Sequence, residues 1–238
     1  MRIEYVFTNT LYYLKGPSPW DSRIVIDCLI EIIDFASRID FKADLIKDLE
    51  IHQQRLERWQ TMPDVDKERL SLLLAETRNL LERLSEFNDR VIQDFTRHQL
   101  INSVRQRNTI PGGTCGFDLP NYHHWLQRNP KQRQENLNTW LSSLESIKNA
   151  VELDLYMIRN NMVTSQETAV AGFFQTKLDT EADYQIIQIG LAMDHPCYPE
   201  ISGSKHRFTV RFFEQEDVSE RAEQTGQDVV FTLSCCTM

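Results

Sequence analysis

A chain of 238 residues with 26 Lys+Arg against 35 Asp+Glu carries a formal net charge of −9 and a pI near 5.2. Hydrophobic residues make up 41% and charged residues 26%, which suits one medium or two small globular domains and excludes a disordered or collagen-like chain. Folding at this length buries roughly 70–75% of the unfolded surface, so neither disulfides nor metal are needed to hold a core.

The first residues, Met1 to Phe7, alternate polar and apolar and lack the apolar run of a secretory signal. Their alternating Ile3, Tyr5 and Phe7 predict a strand over 1–8. The most apolar stretch, Ile24 to Ile33, contains Asp27 and Glu31 and is too short to cross a bilayer. It belongs to a helix capped by Asp21 or Ser22 and running to about Ile39. A second helix places Leu45, Leu49, His52, Leu56 and Trp59 on one side. Asp66 caps a third, with Leu70, Leu73, Leu74, Thr77, Leu80, Leu81 and Leu84 as its apolar face. A fourth, more polar helix spans about Asp89 to Arg107. After a Gly- and Pro-containing loop from Ile110 to Pro120, Pro120 and Pro130 open two further helices, and a last one ends near Asn160. Trp20, Trp59, Trp125 and Trp140 read as core anchors.

Beyond Asn161 the period changes to two, and Ala169–Thr176, Tyr184–Met193, Arg207–Phe213 and Val229–Cys235 read as strands. The expected fold class is α+β: an all-helical domain over 9–162 packed on an antiparallel β-domain over 163–238, which also takes up the N-terminal strand. From Val163 onward five Lys+Arg face twelve Asp+Glu, or −7, leaving −2 for the preceding residues. Much of that acid lies in Glu214–Asp228, read as a solvated hairpin loop.

Within this acidic half, the run Lys205-His-Arg-Phe-Thr-Val-Arg211 contains no acid. As a strand it turns Phe208, Val210 and Phe212 to one side and Arg207, Thr209 and Arg211 to the other. The two arginine stems then emerge about 13–14 Å apart, too far to fork one carboxylate together but suited to an elongated anionic partner. Further bases, Lys47, Arg55 and Arg58 on the second helix and Arg97, Arg105 and Arg107 on or after the fourth, have solvated helix surface as their default role. A nucleic-acid adaptor would read similarly, but a net −9 opposes phosphate binding. Cys115 with His123 is a thiol-nucleophile arrangement only if the fold joins them. The five cysteines (Cys28, Cys115, Cys197, Cys235 and Cys236) form no C-x-x-C pair, which fits a reducing compartment. His195, Cys197, His206 and Cys235-Cys236 are too irregularly spaced for a metal site. No cofactor, metal or small-molecule substrate is expected.

The run Val104-Arg-Gln-Arg-Asn-Thr-Ile-Pro-Gly-Gly-Thr-Cys-Gly-Phe-Asp-Leu-Pro120, followed by His123 and Trp125-Leu126, resembles the central signature of the ZapD family of bacterial cell-division proteins. Leu45–Leu49, Gln54–Trp59, Tyr198-Pro-Glu-Ile-Ser-Gly203, Arg207–Phe212 and Cys235-Cys236 extend the resemblance along essentially the whole chain. It implies a cytoplasmic, non-enzymatic homodimer that binds the C-terminal tail of the tubulin-like protein FtsZ and bundles its filaments into the Z-ring at midcell during septation, without nucleic acid or membrane as partner. Arg207 and Arg211 match the two strand arginines of the family's basic tail-binding surface, His123 its histidine before the tryptophan, and Arg38 an arginine upstream of the second helix. Lys47, Arg55, Arg105 and Arg107 join them on motif context and local charge. One departure stands out: the family usually has an Arg-Thr-Trp-Leu-Arg-like stretch where this chain has Pro19-Trp-Asp-Ser-Arg-Ile24. Val25 falls where the second arginine belongs, leaving Arg23 as the candidate substitute.

Overall fold

The computed structural model describes residues 1–63, 65–87, 89–179, 184–204, 206–215 and 217–237. Lys205, which opens the basic run, and Glu216 of the acidic loop lie outside the described residues. The fold class is α+β, and the chain divides into two compact units, Met1–Leu155 and Tyr156–Met238.

The first unit holds α1 (Arg2–Tyr13), α2 (Pro19–Ala36), α3 (Ile39–Trp59), α4 (Lys67–Glu86), α5 (Asp89–Arg97), α6 (Gln99–Arg107), α7 (Pro120–Leu126), α8 (Pro130–Ser142) and most of α9 (Glu145–Asn160). The N-terminal segment is therefore a helix of this unit, not a strand of the other. Ile3 and Phe7 fit both periods, but Val6 and Thr10 complete a 3, 6, 7, 10 stripe that is fully buried, whereas Tyr5 is 67% exposed. This stripe packs on α2, whose Val25, Ile26, Leu29, Ile32 and Ile33 are almost inaccessible to solvent. Helix α2 is central because its apolar residues surround most of its circumference, and it touches α1, α3, α5, α6 and α8. Ser18 caps it in a reciprocal capping box with Asp21, three residues ahead of the expected start. Asp66 caps α4 through the backbone N–H groups of Glu68 and Arg69, as its sequence position predicts.

The expected helix over 89–107 is broken at His98. Its backbone turns extended there, and Nδ1 accepts from the N–H of Ile101, starting α6 afresh. The imidazole also meets the edge of Trp140 at 4.9 Å, so capping and packing both favour the break. Of the four tryptophans, Trp125 is buried, stacked on Tyr122 and tilted against Trp140, while Trp20 is 73% exposed and is no core anchor.

A buried cation organises the α2, α7 and α8 ends. Arg133, 2% exposed, donates to Ser22 Oγ at 3.0 Å, to the carbonyls of Leu126 at 3.0 Å and Pro17 at 2.6 Å, and to that of Arg128. Gln134 extends the set to the carbonyls of Leu14, Lys15 and Gly16. Elsewhere in the unit, His52 is fully buried with Nε2 3.0 Å from Asp154 Oδ1, and among the described residues its Nδ1 has no hydrogen-bond partner. Burial and the neighbouring Asp154 together raise the Asp48 carboxyl above its ordinary range.

The second unit contains the end of α9 and strands β1 (Met162–Ala169), β2 (Phe173–Lys177), β3 (Tyr184–Gly190), β4 (Cys197–Ser204), β5 (Arg207–Glu214), β6 (Glu223–Gln224) and β7 (Val229–Thr237). They form antiparallel sheets ordered β1-β7-β3 and β2-β5-β4, with β6 also paired to β5. One apolar core joins the two sheets: Phe212 and Phe174 of one each pack on Phe231 of the other at 5.2 Å. The strand expected over Ala169–Thr176 is two strands, because Val170-Ala-Gly-Phe173 is a tight corner with positive φ at Ala171 (49°) and Gly172 (68°). A side chain at Gly172 would also meet the Thr225 carbonyl at 2.6 Å. Strand β4 is not among the strands expected above, and it contains two residues that ordinarily break strands, Pro199 and Gly203. It lies at a sheet edge, paired among the described residues only with β5, where a proline is tolerated. The acidic loop is exposed at Asp217–Glu220 but returns to the sheet at β6.

Candidate protein-binding surface

Strand β5 alternates as its sequence requires. Phe208, Val210 and Phe212 are buried, while Arg207 and Arg211 are exposed on the opposite face with Thr209 between them. Register places Lys177 of β2 directly beside Arg207, and Phe173 beside Arg211. On the other flank, β4 sets Ser204 beside Arg207, Ser202 beside Thr209 and Glu200 beside Arg211. Among the described residues neither arginine makes an ion pair, so both guanidinium groups retain donors for a partner. The Arg211 guanidinium lies 5.9 Å from the Phe173 ring centroid, which orients it without consuming its hydrogen bonds. The strands enclose a shallow, open depression of about 340 Å³ whose lining includes Phe173, Ser202, Arg207, Thr209 and Arg211. Such a face can hold a short extended chain by charge-assisted hydrogen bonds.

The other sequence candidates belong to the helical unit. Arg38 is the residue before α3 and rests on the Phe35 ring at 4.7 Å. Lys47 is exposed and Arg55 half-buried on the same helix, so the three are spread along about 25 Å at 1.5 Å per residue. Arg105 and Arg107 are already engaged: Arg105 pairs with Asp34 at 2.5 Å and Arg107 with Asp118 at 3.1 Å. Both pairs are partly exposed and could be exchanged, but each arginine has an acidic partner, whereas Arg207 has none among the described residues.

His123 is exposed on α7, next to the central signature. That loop is tied to its surroundings by its own residues. Arg23 Nη1 donates to the Thr114 carbonyl at 3.1 Å, Arg107 holds Asp118, and a Cβ added to Gly116 would stand 3.1 Å from the His123 ring. Gly113 is constrained similarly, because its Cβ would lie 2.6 Å from the Arg107 carbonyl. The loop nevertheless leaves Phe117 94% exposed. Cys115 is also exposed, and its Sγ donates to Asp118 Oδ2 at 3.4 Å.

Position 25 cannot carry the arginine that the family resemblance asks for, because Val25 is fully buried in the α2 core. Arg23 does reach the signature loop: its guanidinium sits between Trp20 and Tyr122, 5.5 Å and 5.0 Å from their rings. Burial pushes the Tyr122 phenol well above its usual range. Sequence reasoning missed Lys177, although Phe173-Phe-Gln-Thr-Lys177 alternates and so presents Lys177 and Phe173 on one face. It also missed Arg133, two of whose four acceptors, Ser22 and Pro17, lie more than a hundred residues away in the chain.

Comparison with known proteins agrees with this reading of the signature. A family model described as "Cell division protein", ZapD, matches residues 1–211. The chain is 36% identical to "Cell division protein ZapD" of Methylococcus capsulatus over 238 residues, covering 100% of this chain and 93% of that protein. It is 33% identical to the protein of the same name from Chromobacterium violaceum, covering 99% and 93%, and 32% identical to that of Klebsiella pneumoniae, covering 99% and 93%. With matches of this length spanning both the helical and the β-unit, the chain belongs to the ZapD family of cell-division proteins.

Proposed function

We propose that this protein is a cytoplasmic, non-enzymatic adaptor of cell division that binds the acidic and apolar C-terminal tail of FtsZ. Two copies of the site on a homodimer then cross-link FtsZ filaments and stabilise the Z-ring at midcell. The observation that carries the reading is the exposed Arg207/Arg211 pair, unpaired among the described residues, on a unit whose charge from Val163 onward is −7. A cationic strip whose two arginines form no ion pair among the described residues selects an anionic segment while the surrounding acidic surface repels non-specific polyanions. Its length suits a chain rather than a small ion. Because a filament displays many tails, contacts that are weak singly become strong when a dimer engages two at once. Bundling in this account needs no covalent step, cofactor or metal.

The test is a pelleting assay of polymerised FtsZ with the Arg207→Glu plus Arg211→Glu protein. Loss of co-pelleting with an unchanged circular dichroism spectrum is expected, and retained bundling rejects the assignment. Arg105→Glu, which breaks the pair with Asp34, should have a smaller effect than either strand substitution.

A further inference from the structure

The family-like segment Tyr198-Pro-Glu-Ile-Ser-Gly203 has so far only a structural place, as the edge strand β4. Its register shows more. Tyr198 lies directly across from Phe213, on the same sheet face as Arg211 and Arg207, and the two rings stack at 6.0 Å. Tyr198 is 40% exposed, and Phe173, beside Arg211, is 39% exposed. The face is therefore graded along β5: aromatic surface at the Phe213 end, the Arg211 cation two residues along, and the Arg207/Lys177 cations four residues further.

Resting on the reading above that this face takes an acidic peptide, we propose that Tyr198 and Phe213 form an aromatic anchor subsite, flanked two residues along by Phe173 beside Arg211, that fixes the peptide's register. An extended peptide lying along β5 presents every second side chain to the sheet, with a repeat of about 6.8 Å for two residues. The face then matches a large apolar side chain at position i and carboxylates at i+2 and i+6, which meet Arg211 and then Arg207 with Lys177. Charge complementarity chooses an acidic segment as the occupant, and the stacked rings supply apolar contact where the cations do not reach. Glu200, directly beside Arg211, adds a negative element that disfavours a carboxylate displaced towards β4.

The test uses the full-length protein and two fluorescent twelve-residue peptides of identical composition, read by anisotropy. The matched peptide carries Phe at i and Asp at i+2 and i+6, and the permuted one moves Phe to i+1, where it faces away from the sheet. The matched peptide should bind about tenfold more tightly. Tyr198→Ser, at an exposed edge position, should remove that preference while leaving the residual affinity, and Phe173→Ser should reduce it in the same direction. Equal binding of the two peptides, or a preference that survives Tyr198→Ser with an unchanged circular dichroism spectrum, overturns the anchor. If both peptides still depend on Arg207 and Arg211, the charge-based reading survives that outcome; if Arg207→Glu plus Arg211→Glu affects neither peptide, both fail together. A change in the sedimentation coefficient of the protein alone on Tyr198→Ser identifies a second copy as the occupant and also overturns the proposal.

Discussion

Replacing Arg133 by Met keeps most of the aliphatic volume but removes every guanidinium donor. Two of the abandoned acceptors, Ser22 Oγ and the Leu126 carbonyl, are in buried contacts, whereas the contacts to Pro17 and Arg128 are partly accessible to water. A buried polar group left unpaired costs about 1–3 kcal/mol, so the two buried acceptors alone imply roughly 2–5 kcal/mol once some relaxation is allowed. The accessible carbonyls add little because water replaces the arginine. For 238 residues unfolding together, the entropy of unfolding is about 0.5 kcal/mol/K, and the loss corresponds to a fall in Tm of about 4–10 °C. Thermal unfolding followed at 222 nm measures it, and urea unfolding should show a lower midpoint with an unchanged slope. Arg133→Lys should not rescue the protein, because one ammonium cannot reproduce a fork that reaches four acceptors in different directions. A Tm within about 2 °C of wild type for Arg133→Met would refute the claim that this cation ties the α2, α7 and α8 ends together.

Three further outcomes follow from the same geometry. Gly113→Ala drives a methyl against the Arg107 carbonyl and Ile110, and should cost about 1–3 kcal/mol in a urea titration; an unchanged midpoint contradicts the tight loop. Burial, which outweighs the nearby Arg23, raises the Asp27 carboxyl above its ordinary 3.8. The folded state therefore binds that proton more tightly than the unfolded one, the penalty for ionising it is absent below about 3.8 and complete above the folded pKa, and Asp27→Asn should raise Tm at pH 7 more than at pH 3.5. An equal change at both pH values opposes this sign. Bundling that depends on exposed arginines should weaken steadily between low and 0.3 M salt, as the screening length falls below about 8 Å; salt-independent pelleting points to an apolar interface instead.

Local chemistry was legible in the sequence where it acted locally. Asp66 announces α4, Pro120 and Pro130 open their helices, and the β5 alternation is readable because each residue's face depends only on its neighbours. Where two periods fit the same few residues, the sequence was ambiguous: Ile3, Tyr5 and Phe7 satisfy a strand until Val6 and Thr10 are counted, and the exposed Tyr5 decides for a helix. Strand β4 was hidden because the breakers Pro199 and Gly203 are tolerated only at an edge, which is a property of the assembled sheet. The candidate site divides similarly. The exposure of Arg207 and Arg211 followed from alternation, whereas the engagement of Arg105 by Asp34 and of Arg107 by Asp118 required the folded chain. Lys177 and Tyr198 join the same face only through register with β5.

Sedimentation of FtsZ filaments with this protein, comparing intact FtsZ with FtsZ lacking its C-terminal tail, tests the proposed tail binding most directly. Co-pelleting and bundling with the intact filament, and neither with the truncated one, is the predicted result. Equal bundling of the tailless filament would contradict it, because the Arg207/Arg211 face would then have no part in holding the polymer.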